Sequence, residues 1–598
     1  MYPPTAASSI AAAAGGSFLV ESRAPEEIFT PEELNEEQRQ IAATADRFAR
    51  EEILPRTEAI EAKEPGALPA LLRKAAEIGF TAADIPEEYG GLGLDKVAST
   101  VITDRISALA SFSTAFGAHV GIATLPLLWY GTDEQKKRYL PRLATCELIG
   151  AYGLSEANSG SDAMNIRTRA ALSADGAHYI LNGEKQWLTN CGIAGLYTVF
   201  AKIDGEKFSA FLVERGTPGL TVGAEEHKLG IRGSSTCPLV LQDCKVPRKN
   251  LLGEAGKGHR IAFNVLNVGR FKLGVACIGG ARRALAEMIR YAKERRAFGK
   301  SIAEFGLIQR KISTAAAKLY AAESMAYRTA GLMDARLAQA GGDAEPGATP
   351  RSIEEYAVEC SILKVYGSEM MAMVADELMA TMGGHGYVEG HGAERYYRDA
   401  RINLIFEGTN EINRLIIVGW LMKRAMTGKL PLLTAIQRVM DEVTQPPSFG
   451  GDGSAGDALA HEVAALASAK KMALFAAGVA SQRFLTALEE QQEIIADLAD
   501  MISRVYALES AHLRARKLIC AGRNAAETAA AMTGLLADES LALAEQASRR
   551  VLAASSKGDA LATQFAILRR LARSTPRDTV ALSRAVAREA VALERYPL

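Results

Sequence analysis

His178–Asn190, HYILNGEKQWLTN, interrupts a chain that otherwise reads mostly as helix. It is short, and rich in β-branched and aromatic residues. It has two companions, LYTVFAKIDGEKFSAFLVERG from Leu196 and PLVLQDCKVP from Pro238. Asp175-Gly176, Asn182-Gly183 and Asp204-Gly205 divide such runs. Glycine takes positive φ at little steric cost, so each pair is expected to be a hairpin turn. An antiparallel β domain is expected from Ala151 to about Gly258.

The regions on either side follow a helical period. Residues 35–150 form an N-terminal helical domain, broken by EEYGGLGLD at Glu87–Asp95. Residues 259–425 form a second helical domain, interrupted by AQAGGDAEPGATP and GGHGYVEGHG. A linker over 426–457 contains TQPPSFGGDGSAGD, and 458–598 is an extra alanine- and leucine-rich helical unit. Residues 1–34 are expected to be a disordered or extended tail. The fold class is α+β, mainly α: helices, an antiparallel β middle domain, a helical bundle and an extra C-terminal helical domain.

The composition excludes several classes. A chain of 598 residues with 48% hydrophobic and 23% charged residues is an ordinary soluble globular protein. A net charge of -1 argues against a nucleic-acid partner. No uninterrupted apolar run reads as a membrane span. The seven cysteines are dispersed, as expected for reduced thiols. Met1–Gly16 has no Lys or Arg, so no secretory or transit signal is read and the cytoplasm is the expected location. No P-loop, strand–GxGxxG–helix fingerprint, GxSxG elbow or HExxH occurs, and the eight histidines are scattered, so no metal is expected.

Four stretches carry chemistry in more than one reading. AYGLSEANSGSD, Ala151–Asp162, is a polar loop with turn residues where helix gives way to strand. Trp187 and Thr189 in KQWLTN share a strand face. They suit either a flat polar ring or a cross-strand packing pair. The basic residues of ERRAFGK, Glu294–Lys300, suit a helix C-terminus or solvent. In LIFEGTNEINR, Leu404–Arg414, Glu407 is either a proton-removing base or an acid before a helix capped by Thr409 or Asn410.

Taken together, GLSEANSGSD, NGEKQWLTN, NVGRF, ERRAFGK, MGGHGY and RDARINLIFEGTNEINRL resemble the acyl-CoA dehydrogenase family over about residues 35–425. GAH at Gly117–His119, FGLIQ at Phe305–Gln309 and the extra C-terminal segment resemble its very-long-chain branch. The resemblance implies FAD-dependent α,β-dehydrogenation of a long-chain fatty acyl-CoA in β-oxidation. Glu407 would take the α-proton, the β-hydride would pass to the flavin, and an electron-transfer flavoprotein would accept the electrons. An oxidase on the same scaffold, or a scaffold protein that kept the fold without the chemistry, is the alternative.

The same resemblance implies the site residues. Tyr152, Leu154, Ser155, Gly160, Ser161, Trp187, Leu188 and Thr189 would line the FAD, with Thr409, Asn410 and Glu411. Arg295, Phe298 and Gly384 would reach the FAD of a neighbouring subunit, which implies a homodimer. Ser161, Asn267, Arg270, Phe406, Glu407 and Gly408 would bind substrate. Ala380, Gly390 and Asn165 depart from residues usual in the family. Small residues at Gly117, Ala118, Gly121 and Ala123 would leave a deep apolar channel. KRAMTGKLPLLTAIQRVM, Lys423–Met440, suits either a membrane surface or a buried helix with a solvated edge.

Overall fold

The computed structural model describes residues 12–341, 347–445 and 457–598. Numbering only the helices used below, α1 (Glu36–Phe48) and α2 (Ala110–Gly117) belong to the first domain. α3 (Gly258–Glu294), α4 (Gly306–Gln339), α5 (Ala357–Met382) and α6 (Asn410–Met426) belong to the third. α7 (Leu432–Thr444) leads to α8 (Gln492–Cys520) and α9 (Ala526–Ser555) of the fourth. Helix starts follow side-chain chemistry: Asn35 caps α1 in a reciprocal box with Gln38, satisfying backbone donors that the first turn leaves open.

Between the first and third domains lies one eight-stranded sheet. Its strands are β1 (Gly150–Gly153), β2 (Arg169–Leu172), β3 (His178–Thr189), β4 (Leu196–Ile203), β5 (Lys207–Glu214), β6 (Leu220–Val222), β7 (Thr236–Pro247) and β8 (Leu251–Leu252). The order is β6-β7-β3-β2-β4-β5-β8, with β1 pairing onto β4. Pairing is antiparallel except where β1 and β2 meet β4. Asp175-Gly176 and Asp204-Gly205 do make the β2–β3 and β4–β5 turns. Asn182-Gly183 does not. It lies inside β3 at a register shift against β7. A Cβ on Gly183 would come within 2.5 Å of Thr168 Oγ1, so this glycine permits a bulge and a close approach, not a reversal.

The expected tail over residues 1–34 is corrected for its described part. Phe18, Leu19, Ile28 and Phe29 are buried, and Phe29 rests against Gly331 of α4. The Gly16 amide donates to Glu359 of α5, and the Lys517 ammonium of α8 donates to the Ile28 carbonyl. The segment therefore staples the third domain to the fourth; residues 1–11 lie outside the described residues. The expected linker over 426–457 contains α7, whose Ile436, Val439 and Val443 are buried. The Lys423–Met440 stretch thus takes the buried-helix form, with Leu433 and Arg438 at a surface edge, while residues 446–456 of the expected linker lie outside the described residues.

Among the described residues, three helical stretches, Ala110–Tyr130, Gly258–Glu294 and Ala460–Glu490, are long and apolar enough to cross a membrane, contrary to the sequence expectation. Most of each lies inside the protein, which accounts for the composition by core packing. All seven cysteines are free thiols.

Candidate active site

Glu407 sits in the connection that leads into α6. Its φ is +59° and that of Gly408 is +80°. A non-glycine residue in the left-handed region costs on the order of 1–3 kcal/mol and needs its surroundings to hold it there. The hold is visible. Arg270 Nε donates to the Glu407 carbonyl at 3.3 Å, and Lys364 Nζ donates to the Gly408 carbonyl at 2.7 Å. Asn413 Nδ2 donates to the Gly408 and Thr409 carbonyls at 2.8 and 3.0 Å. All three carbonyls thus point into protein. Among the described residues, the amides of Glu407, Gly408 and Thr409 donate to no protein acceptor. Thr409 caps α6 by accepting from the Ile412 amide.

The Glu407 carboxylate faces a cavity of about 400 Å³ between the first and third domains. Its Oε2 is buried without a hydrogen-bond partner. Loss of solvation pushes its pKa up to about 7, with Arg270 and Lys364 opposing the rise. Gly269 makes room for it: a Cβ there would stand 2.3 Å from Oε2. Thr189 and Phe406 share the cavity wall, as do Gly117, Ala118 and Gly121. Ala123 is buried away from it.

Around this cavity the expected residues separate into groups. At Trp187 a second register shift in β3, with φ at +62°, leaves the indole 60% exposed, while Leu188 turns inward. Trp187 and Thr189 therefore stay on the accessible side. Tyr152 is buried with its hydroxyl unpartnered. Leu154 and Ser155 use their carbonyls to accept from Lys185 Nζ and the Gln186 amide. Behind them, buried Glu156 accepts from Lys185 Nζ at 2.6 Å, from the Arg167 and Thr168 amides and from the Thr168 hydroxyl. Gly160 and Ser161 lie outside on the exposed part of that loop.

Arg295, Phe298 and Gly384 are exposed, and Phe298 is 94% so. They stand off the cavity wall in this chain. Glu411 is exposed at the first turn of α6.

Two sets of expected residues have their side chains committed to protein partners. Asn410 does not offer its side chain outward. Its Oδ1 accepts from Lys364 and Ser368, and its Nδ2 donates to Glu369. Asn267 and Arg270 are buried and bonded to each other at 2.9 Å, and Arg270 also holds the Glu407 carbonyl. Sequence reading passed over Gly269, Lys364 and Asn413. Gly269 was inside a recognised motif, NVGRF; Lys364 carried no local signal.

Family models for acyl-CoA dehydrogenase match four parts of the chain. They cover the N-terminal domain at residues 35–147, the middle domain at 151–244, and C-terminal domains at 256–422 and 468–570. The chain belongs to the acyl-CoA dehydrogenase family. It is 45% identical over 586 residues to a probable acyl-CoA dehydrogenase of Bacillus subtilis strain 168, covering 97% of this chain and 98% of that one. The human mitochondrial very long-chain specific acyl-CoA dehydrogenase is 38% identical over 402 residues, 65% of this chain and 58% of the relative. In structure, the chain is similar to an acyl-CoA dehydrogenase from Bacillus anthracis complexed with FAD. The TM-score is 0.95 at 44% identity, over 98% of this chain and all of that one. The likeness to that structure thus extends through the fourth domain.

Proposed function

We propose that this acyl-CoA dehydrogenase uses FAD to convert a long-chain acyl-CoA into its trans-2-enoyl thioester and passes the electrons to an electron-transfer flavoprotein. The observation that carries the reading is the Glu407 carboxylate: solvent-poor, unpaired, and set beside uncommitted amide donors on a cavity wall.

The chemistry follows from that placement. An α-proton next to a thioester is weakly acidic, so a nearby base of matched pKa and a polarised carbonyl are both required. The Glu407 carboxylate takes the proton. Its own amide N–H, free of any protein acceptor among the described residues, donates to the thioester oxygen, where negative charge develops. The left-handed turn at Glu407-Gly408 makes base and donor available from one residue. Burial keeps water off the reacting carbon.

The residues present fit FAD. The bulge that exposes Trp187, the position of Thr189 beside the cavity and the pinned loop after Leu154 form an accessible edge next to the base. When bound, FAD supplies the acceptor for the hydride leaving the β-carbon, and Trp187, Thr189 and the loop at 154–161 would hold it. The FAD-complexed neighbour supports this assignment. Gly117 and Gly121 support a long acyl chain, because a Cβ at either would meet nothing within 4 Å and both border the cavity. The exposed Phe298, and the exposed Tyr387 and Val388 a few residues after Gly384, support pairing with a second copy.

The test is the visible spectrum of the purified protein, followed by anaerobic titration with palmitoyl-, octanoyl- and butyryl-CoA. Yellow protein that bleaches fastest with palmitoyl-CoA is expected. Yellow protein that no acyl-CoA reduces would overturn the substrate class. Rapid peroxide formation without a protein acceptor would make it an oxidase.

A further inference from the structure

We infer that Lys364 is a positioning residue for dehydrogenation: from α5, its buried ammonium fixes the Glu407 loop and holds a positive charge behind the base. This rests on the assignment of Glu407 as the base.

Lys364 is fully buried in the helix that packs along α3. Its Nζ reaches the Gly408 carbonyl at 2.7 Å and Asn410 Oδ1 at 2.6 Å. Asn410 is itself locked by Ser368 and Glu369 of the same helix. A cation buried with no carboxylate in hydrogen-bond contact is expensive, and burial pulls its pKa down to about 8. A fold that served only to link α5 to α6 would manage with a neutral amide at less cost. What the ammonium adds is twofold.

The first contribution is geometric. In a trans peptide the N–H and C=O point opposite ways. Drawing the Gly408 carbonyl inward turns the Thr409 amide outward. Arg270 and Asn413 do the same one peptide earlier, at the Glu407 carbonyl. Three donors from three helices thus set two successive left-handed residues. Without Lys364, the Gly408 carbonyl keeps only the Asn413 amide.

The second contribution is electrostatic. The charged or titratable groups facing Glu407 are Arg270 on α3, Lys364 on α5 and the Tyr152 hydroxyl on β1. Those facing Lys364 are Cys277 and Arg270 on α3, with Glu407 and Glu411. The two cations favour the carboxylate, whereas burial does not. Removing one cation therefore moves the proton affinity of Glu407 up.

The test uses the FAD-loaded enzyme and follows flavin bleaching by palmitoyl-CoA across pH. Lys364→Met should slow reduction on the order of 10- to 100-fold, because misplacement of a reacting group by about 1 Å costs this much. It should also move the acid limb upward by about one pH unit. Lys364→Gln, which keeps a donor but no charge, should keep most of the plateau rate and still show the upward shift. Lys364→Arg should return the limb to its wild-type position. If the methionine variant does not fold or load FAD, the Gln and Arg variants decide alone. The same limb in Gln, Arg and wild-type enzyme overturns the inference. Failure of the wild-type flavin to bleach at all would instead be a failure of the proposed reaction.

Discussion

Gly269→Ala is the sharpest probe of the base. A Cβ at this position would lie 2.3 Å from Glu407 Oε2, 2.8 Å from its carboxyl carbon and 3.3 Å from Oε1. The α3 backbone cannot yield easily, because Val268 and Phe271 on the same turn are buried. The far end of a glutamate can, so the carboxylate retreats by about 1 Å to restore ordinary contact. Folding is then nearly unaffected, since alanine is the better helix former. Chemistry is not: a displacement of that size costs about 100-fold, or about 2.7 kcal/mol of barrier. Stopped-flow reduction of the bound flavin by palmitoyl-CoA reads this directly, with FAD content and thermal midpoint measured alongside. A variant that keeps its FAD and its midpoint and still reduces flavin at the wild-type rate would refute the geometry.

Three other expectations follow from the same structure. Reduction needs ionised Glu407, whose pKa is raised to about 7 by burial, so the rate should be full above that pH and fall as pH drops through it; a flat profile from pH 6 to 8 would contradict it. Lys185→Met leaves Glu156 buried with its backbone and hydroxyl donors but no counter-charge. Breaking a buried pair in this way costs about 3 kcal/mol, and calorimetry should show a lower thermal midpoint together with weaker FAD retention. Gly117→Leu fills open cavity, since nothing stands within 4 Å of its Cβ position. The ratio of palmitoyl- to butyryl-CoA rates should fall at least tenfold, about what 1.4 kcal/mol of lost fit produces, and an unchanged ratio would remove Gly117 from the acyl channel.

The sequence was most informative where local chemistry and fold agree. The texture of 175–216 marked a β domain because alternating burial and tight turns need particular residues, as at Asp175-Gly176 and Asp204-Gly205. Asn182-Gly183 misled because the same pair that makes a hairpin also relieves a clash inside a strand, here with Thr168. Glu407 was legible from its motif. The surroundings that leave its carboxylate buried and unpartnered were not, because Gly269 and Lys364 are far from it in sequence and meet it only in the folded protein. The N-terminal segment was unreadable for a different reason. Residues 17–33 include three short 3₁₀ turns with no helical period, and the segment is held by contacts to α4, α5 and α8.

Asn410 shows how a motif can name a residue without revealing where its side chain goes. One position from the helix cap, its side chain points back into α5 instead of out towards the accessible edge. Backbone direction at Thr409 decides that, and no pattern in NEINR reveals it.

The central claim, that Glu407 is the base, is tested most directly by single-turnover flavin reduction in Glu407→Gln. The amide occupies the same space and leaves the backbone donor in place, but it cannot accept the α-proton. The account predicts a yellow protein with wild-type FAD content that binds palmitoyl-CoA and fails to bleach. Bleaching at the wild-type rate would contradict it.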